Sequence, residues 1–192
     1  YSLVISDHGA SWPGVGGDEG SDYDGLSLDE LKRGIGDGIA AAGVTKLDLL
    51  GFDACLMATY EVASTMAPLA DRMIASQELE PGHGWDYAAF LAAADHADVD
   101  TLGKAIIDGY QAQAAVEETD SSITLALIDL TRMGEVDAAL AGLSAALTDR
   151  AESIAPAVGR TLAQTLGFGR SADPEQDLNK LWWDLVEKYQ LI

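Results

Sequence analysis

KLDLLGF, at residues 46–52, is a short apolar run of the kind that forms a buried strand in a parallel sheet. Similar runs lie at residues 1–6 (YSLVIS), 71–76 (DRMIAS) and 122–130 (SITLALIDL), and the last has the strongest strand pattern in the chain. Helical patterns lie between these runs. Because strands that alternate with helices form βαβ units, the sequence predicts an α/β fold with a parallel sheet.

The connections between the strands are predicted to be mainly helical. Ser27 followed by Glu30 is a capping-box pattern, and it predicts a helix that ends at Gly43. Residues 10–25, which are rich in Gly, Asp and Ser, predict a mobile loop. Further helices are predicted at residues 55–66, 86–94, 101–117, 134–149, 152–166 and 175–190. The last of these carries an apolar face that is predicted to pack in a core, formed by Leu178, Leu181, Trp182, Trp183 and Leu185.

The chain is strongly acidic, since its 192 residues include 32 Asp and Glu but 11 Lys and Arg, which gives a formal net charge of -21. Such a surface repels nucleic acid and anionic membranes, so neither is an expected partner. The charge fits an adaptation to solubility or salt better than a binding device. No run of 18 apolar residues predicts a membrane-spanning helix, and a chain of this length with 48% hydrophobic residues suits one domain.

The sequence contains one cysteine, Cys55, which therefore forms no internal disulfide and belongs to no Cys-rich zinc site. Cys55 follows the strand at residues 46–52, and His8 follows the strand at residues 1–6. If these consecutive strands are neighbours, their carboxyl ends bring the thiol and the imidazole to the same edge of the sheet. This placement predicts a nucleophile and its base. The alternative is a buried structural cysteine and a structural histidine.

Two backbone features favour the catalytic interpretation. Cys55 is predicted to lie at the start of a helix, where the helix dipole favours the thiolate. Gly9 allows the backbone to approach a substrate closely. Its amide, together with the amide of Cys55, is a candidate oxyanion hole for a tetrahedral intermediate.

Other candidate residues fit a catalytic or metal-binding role less well. His83 is expected to be exposed, and His96 is expected to be solvated. Asp7 is disfavoured as an orienting group for His8, because neighbouring side chains in a strand point to opposite faces. The loop at residues 10–25 does not match an EF-hand, although its carboxylates leave an irregular calcium site open. These carboxylates belong to Asp18, Glu19, Asp22 and Asp24.

Four segments together resemble the clostripain family of cysteine peptidases, and they occur in the order found in that family. They are LVISDHGASW (3–12), DLLGFDACLMATYEVA (48–63), ASQELEPGHGWDY (75–87) and ITLALIDL (123–130). The family shares a caspase-like fold with caspases, legumains, gingipains and separases. The resemblance implies a caspase-like three-layer sandwich with a mainly parallel sheet. Residues 1–192 would form a partial domain of this kind, with a catalytic α/β core at 1–130 and a helical part at 131–192.

The resemblance also implies a function and a set of site residues. The expected activity is a cysteine endopeptidase that cleaves polypeptides after basic residues by a His/Cys dyad, with His8 as the acid and base and Cys55 as the nucleophile. Asp53 matches the acidic residue that lies at the base of the pocket for the basic side chain. We expect Arg to be preferred over Lys, because a carboxylate pairs with a guanidinium through two parallel hydrogen bonds. The alternative is that Asp53 only accepts hydrogen bonds from amides of the following loop.

Several further expectations follow from the family. The chemistry requires no cofactor, although some relatives depend on calcium, and the expected location is secreted or at the cell surface. Members have one or more strands ahead of the histidine strand, so a missing N-terminal portion of the same fold is an expected partner. The strand at residues 1–6 is then expected to be an exposed edge. The alternative functions are a non-catalytic binding or regulatory module and a redox-sensing thiol, and the second lacks a resolving cysteine.

Overall fold

The structure is a computed structural model that describes residues 1–21, 24–94, 98–162 and 164–169. Within these ranges the chain forms strands, α-helices and two short 3₁₀ helices at Glu19–Ser21 and Leu130–Arg132. The strands are β1 (Ser2–Ser6), β2 (Val15–Asp18), β3 (Asp24–Leu26), β4 (Leu47–Asp53), β5 (Ala70–Ala75) and β6 (Ala126–Asp129). The helices are α1 (Leu28–Ala42), α2 (Tyr60–Met66), α3 (Tyr87–Ala94), α4 (Val99–Val116), α5 (Met133–Thr148) and α6 (Ala151–Leu162).

The main sheet has the strand order β1-β4-β5-β6. The pairs β1–β4 and β4–β5 are parallel, and β6 runs antiparallel to β5. In the first pair, Ile5 lies opposite Phe52 and Ser6 lies opposite Asp53. The predicted α/β fold with a mainly parallel sheet is therefore confirmed, and the expected neighbours β1 and β4 end at the same edge.

Helices cover both faces of this sheet because successive residues of β4 and β5 point to opposite sides. Leu50 and Met73 pack on one face with α1 and α2. Leu49 and Ile74 pack on the other face with α3 and α4. The helices and the sheet therefore form three layers with a hydrophobic core on each side of the sheet.

Helix α1 begins and ends as its sequence predicts. The Ser27 side chain accepts a hydrogen bond from the amide of Glu30, and the Glu30 side chain accepts one from the amide of Ser27. Gly43 ends the helix in the left-handed region, with φ at 68°. This helix forms the main part of the connection between β1 and β4, and it keeps these two strands parallel.

The prediction of a mobile loop at residues 10–25 is wrong in part. Strands β2 and β3 pair antiparallel there, and Val15, which is 4% exposed, anchors them in the core. Gly16 adopts a φ of 89°, a region open to glycine, so the glycine-rich composition serves a hairpin and not only a loop. The abundance of Gly and Asp conceals this hairpin in the sequence.

The last strand is shorter than predicted, since the pattern at residues 122–130 forms a strand only at β6. The preceding Thr124 accepts hydrogen bonds from the amides of Gln77 and Glu78 through its side chain, and it bonds the hydroxyl of Ser76. These contacts hold the loop that follows β5. The predicted helix at 175–190, with Leu178, Leu181, Trp182, Trp183 and Leu185, lies outside the described residues.

The chain divides into two compact units, residues 1–138 and 139–192. The first unit contains the sheet and helices α1 to α4. The described part of the second unit contains most of α5 and the whole of α6, which includes Pro156. None of the helices in the part of the chain that the structure describes is long and apolar enough to cross a membrane.

Candidate active site

The carboxyl ends of β1 and β4 border a cleft of about 300 Å³. His8 is exposed at this cleft and Cys55 is half-buried in it. The structure therefore brings together the two residues that the strand order placed at one edge. The cleft is lined by Ser6, Asp7, His8, Asp53, Ala54, Cys55, Glu80, Pro81, Gly82 and Gly84.

Cys55 lies in a turn and not at the start of a helix, so the prediction of a helix from residue 55 is wrong. The chain turns at Leu56, which adopts a φ of 63°, and helix α2 begins only at Tyr60. The amides of Leu56 and Ala58 are held by the carbonyls of residues that follow β5. These carbonyls belong to Glu78 and Ser76. The predicted effect of a helix dipole on this thiol is therefore wrong as well.

The surroundings of Cys55 favour the neutral thiol in the empty cleft. Burial raises the pKa of the Cys55 thiol, and Glu80 acts in the same direction once it is ionised. Hydrogen bonds from backbone amides oppose this rise, including the amide of Glu80 at 3.2 Å from Sγ. Because burial is the largest of these effects, the neutral thiol is favoured, and the imidazole of His8 lies at the same cleft.

Gly9 is buried against the backbone of Cys55. A Cβ atom at Gly9 would lie 2.1 Å from the carbonyl oxygen of Cys55, so no other residue fits without a backbone shift. The sequence predicts that Gly9 allows a close approach of the backbone to a substrate. In the structure, Gly9 instead allows a close approach to the backbone of Cys55. The amides of Gly9 and Cys55 act on the thiol by lowering its pKa, so both lie near Sγ, and their role as an oxyanion hole stays a prediction.

Asp53 ends β4 as a buried carboxylate that is 6% exposed. Its Oδ2 accepts hydrogen bonds from the hydroxyl of Tyr87 at 2.8 Å, the amide of Trp85 at 3.3 Å and the hydroxyl of Ser6 at 3.4 Å. The amide comes from the loop after β5 and not from the loop that follows Asp53. Asp53 is therefore held in place by three elements while it lines the cleft.

Glu80 is a site residue that the sequence analysis missed. Burial, followed by contact with Asp53, raises the pKa of the Glu80 carboxyl to about 9, while the indole of Trp85 opposes the rise. Its backbone amide bonds Cys55 Sγ. The signal was available, because the segment ASQELEPGHGWDY follows β5, whose carboxyl end lies at the same edge as those of β1 and β4.

The weaker candidates have structural partners. His83 is half-buried and not exposed as expected, because Nδ1 donates to the carbonyl of Gly84 and Nε2 bonds the hydroxyl of Thr119. Asp7 Oδ1 accepts the backbone amide of His8 at 2.6 Å. That hydrogen bond fixes the backbone at His8. His96 lies outside the described residues.

In the acidic segment at residues 10–25, Asp18 accepts hydrogen bonds from neighbouring residues of the same segment. Asp18 Oδ1 accepts the amide of Gly20, and Oδ2 accepts the hydroxyl of Ser21. Within the described ranges no group of three or more His, Cys, Asp or Glu side chains is arranged to hold a metal ion. Asp22 lies outside the described residues. Calcium dependence stays a prediction.

The structure is similar to several solved cysteine proteases. A secreted C11 cysteine protease from Bacteroides thetaiotaomicron, in complex with an irreversible peptide inhibitor, is 22% identical over 72% of this chain and 42% of its own, with a TM-score of 0.59. A secreted C11 cysteine protease from the same organism, "iotapain", is 26% identical over 69% of this chain and 39% of its own, with a TM-score of 0.55. An inactive zymogen C11 protease from Parabacteroides distasonis is 23% identical, with a TM-score of 0.50.

These similarities confirm the caspase-like fold. The chain spans about two fifths of the length of the first solved structures it matches. No curated protein matches it. The sequence model of the clostripain family matches residues 1–191. The chain therefore belongs to the clostripain family.

Proposed function

We propose that this chain carries the active site of a cysteine endopeptidase that cleaves polypeptides after basic residues, Arg in preference to Lys. The observation that carries the proposal is the cleft in which a thiol, an imidazole and two carboxyl groups meet. They belong to Cys55, His8, Asp53 and Glu80. Membership of the clostripain family and the fold shared with C11 cysteine proteases support the same activity.

The proposed reaction uses His8 and Cys55 as a dyad. His8 removes the proton from the Cys55 thiol, and the thiolate attacks the carbonyl carbon of the scissile bond. The amides of Gly9 and Cys55 hold the resulting oxyanion. The imidazolium of His8 then protonates the leaving amine, and a water molecule, deprotonated by His8, hydrolyses the thioester. This chemistry uses only side chains and amides, so the proposal includes no cofactor, and calcium would act on structure alone.

The proposed preference for basic residues follows from Asp53. A buried carboxylate at the base of a cleft is costly unless a cation or hydrogen bonds stabilise it. Arg offers two parallel donors in a planar group, which match a carboxylate better than the ammonium of Lys. The donors already on Asp53 come from Ser6, Trp85 and Tyr87, and they fix the position of a carboxylate that lines the cleft.

The dyad is tested by Cys55→Ala and His8→Ala. We expect each variant to lose cleavage of fluorogenic peptides by orders of magnitude, because neither nucleophile nor base has a substitute at the cleft. Folding, followed by circular dichroism, should change little, since both residues lie at the sheet edge. Lys32→Ala, on the exposed side of α1, is the control variant and should keep full activity. Cleavage retained by purified Cys55→Ala would end the proposal.

The specificity is tested by a fluorogenic series that differs only at the residue before the scissile bond. Wild type should cleave the Arg peptide faster than the Lys peptide, and both faster than the neutral peptides. Asp53→Asn keeps the size of the side chain and removes its charge, so the ratio of Arg to neutral cleavage should fall. If Asp53→Asn keeps the wild-type ratio, another residue determines the specificity.

We also propose that further chain of the same fold pairs with β1. This strand is the edge of the sheet, and Leu3, at 37% exposed, presents apolar surface there. An apolar cleft of about 390 Å³ lies beside it against α1. An N-terminally extended version should therefore melt at a higher temperature and be more soluble than the 192-residue chain. Equal melting temperatures for the two versions would refute this proposal.

The proposed location is outside the cytoplasm, either secreted or on the cell surface. Two of the similar structures are described as secreted proteases. Detection of the native protein in the culture medium or on intact cells would support this location. Recovery of the native protein from the cytosol alone would refute it.

A further inference from the structure

Two carboxyl groups lie side by side in the candidate cleft. The side chains of Glu80 and Asp53 lie within reach of each other, and both line the cleft beside Cys55. Neighbouring carboxylates repel each other, so such a pair holds one proton unless a cation balances the second charge. In the part of the chain that the structure describes, no lysine or arginine lines this cleft.

The surroundings of the two groups place the shared proton on Glu80. Asp53 Oδ2 already accepts hydrogen bonds from the Ser6 hydroxyl, the Trp85 amide and the Tyr87 hydroxyl. Glu80 accepts fewer hydrogen bonds than Asp53. Trp85 Nε1 lies 3.4 Å from its Oε1, while its buried Oε2 has no protein donor among the described residues. An oxygen without a donor, next to a carboxylate, satisfies both groups when it carries a proton and donates it. Burial and the contact with Asp53 favour the same neutral form of Glu80.

The other titratable groups around the pair supply no permanent cation. Burial raises the pKa of Tyr87, from α3, to about 12, and it raises the pKa of Tyr110, from α4, as well. Burial also raises the pKa of the Cys55 thiol. These three groups are therefore neutral near pH 7. The remaining titratable side chains at the cleft belong to His8 and Asp7, both of which are exposed.

We propose that Glu80 is a specificity residue that exchanges its proton for the cationic group of a ligand. The empty cleft holds Asp53 and Glu80 with one shared proton, and a guanidinium that enters the cleft displaces this proton into solvent. Charge is balanced in this step, because one positive charge enters the site and one leaves. The inference rests on the proposed function, since the guanidinium is that of the arginine before the scissile bond.

The exchange changes how the cleft selects its ligand. A ligand with a neutral side chain cannot replace the proton, so the pair stays protonated and attracts this ligand only weakly. A cationic ligand is attracted by two carboxylates, but it binds only when the pair releases its proton. This release becomes easier as the pH rises toward the pKa of Glu80. Affinity for basic ligands should therefore increase with pH, and affinity for neutral ligands should not.

Calorimetric titration of Cys55→Ala protein tests the exchange. The probe is a short peptide amide that ends in arginine, and the comparison ligand is the same peptide with citrulline, which has the same shape but no charge. Repeating the titration in buffers of different ionisation enthalpy counts the protons released. We expect about one proton to leave for each arginine peptide bound at neutral pH, and none for citrulline. Affinity for the arginine peptide should rise up to about tenfold for each pH unit between about pH 6 and about pH 8.

The matched variant is Glu80→Gln in the same Cys55→Ala background. The glutamine amide can still donate to Asp53, but it has no proton to release, so the proton release and the pH dependence due to Glu80 should both disappear. Glu61→Gln, which changes an exposed carboxyl on α2, should keep both. His8 and Asp7 are present in all of these proteins, and their titration therefore cancels in the comparison.

Three results would overturn the inference. One is binding of the arginine peptide without proton release, or with the same release in Glu80→Gln. Another is the absence, in the infrared spectrum of the empty protein at neutral pH, of a protonated carboxyl band that Glu80→Gln removes. The third is that the arginine peptide does not bind. Cleavage assays on unsubstituted protein with basic and neutral peptides then show separately whether the proposed peptidase function survives.

Discussion

Gly9 packs against the backbone of Cys55 and leaves no room for a side chain. A Cβ atom there would meet the Cys55 carbonyl oxygen at 2.1 Å, which is backbone and cannot move aside as a side chain can. We expect Gly9→Ala to lower the free energy of unfolding by about 1–3 kcal/mol and to reduce peptide cleavage, because the amides at Cys55 must shift. Urea denaturation and kcat measurements test this. Gly38→Ala, inside α1 with nothing near its Cβ position, should instead stabilise the protein.

Glu80 predicts how stability depends on pH. The folded protein holds the Glu80 proton up to about pH 9, whereas the unfolded chain releases it near the ordinary value of 4.5. Between these values the folded state binds more protons, so rising pH destabilises wild type. Glu80→Gln lacks this effect, and its stability relative to wild type should therefore rise by up to about 1.4 kcal/mol for each pH unit. Urea denaturation across this pH range measures the difference, which Glu61→Gln should not show.

Single residues differ in how much of their role could be predicted from the sequence. His8 and Cys55 were placed at one edge by strand order alone, since β1 and β4 are consecutive long strands of the sheet. The neutral state of the Cys55 thiol could not be predicted. It depends on burial of the thiol, and the chain forms a turn at Leu56 where the sequence predicts the first turn of a helix. Glu80 was missed because its contact with Asp53 joins the loop after β5 to the end of β4, which is distant in sequence.

Helix α1 matters to the cleft because it forms the connection between β1 and β4. Its N-terminus is held by the reciprocal hydrogen bonds of Ser27 and Glu30. We expect Ser27→Ala to lower the free energy of unfolding by about 1 kcal/mol, because it leaves amides of the first turn without an acceptor. Ser27→Asp can still accept these hydrogen bonds and should retain most of the stability. Equal losses for the two variants in urea denaturation would show that the cap contributes little.

Elements with strong periodicity were predicted better than elements that depend on tertiary contacts. The capping box and the glycine end of α1 are local signals, and the structure confirms them. The hairpin of β2 and β3 was missed because its glycines suggest a loop, while burial of Val15 provides the stabilising contact. The helix predicted from residue 55 begins only at Tyr60, because the carbonyls of Ser76 and Glu78 hold the amides of the preceding turn.

The acidic composition is a property of the whole chain that its ion pairs do not neutralise. Arg72 forms ion pairs with both Asp100 and Asp129, and Lys46 forms one with Asp71. The sequence nevertheless contains 32 Asp and Glu but only 11 Lys and Arg. Most carboxylates therefore repel one another across the surface, and folding brings them closer together. Repulsion of this kind opposes the compact state.

Salt should accordingly stabilise this protein. Raising ionic strength from about 0.01 M to about 0.15 M shortens the screening length from about 30 Å to about 8 Å, so repulsion between distant carboxylates should weaken over this range. We expect the thermal midpoint at pH 7 to rise with NaCl, with most of the rise below about 0.15 M. Sucrose, which stabilises proteins without screening charge, is the control, and its effect should not level off in that range. A midpoint independent of NaCl would mean that the repulsion is as strong in the unfolded chain as in the folded protein, and that the net charge of -21 carries no cost to folding.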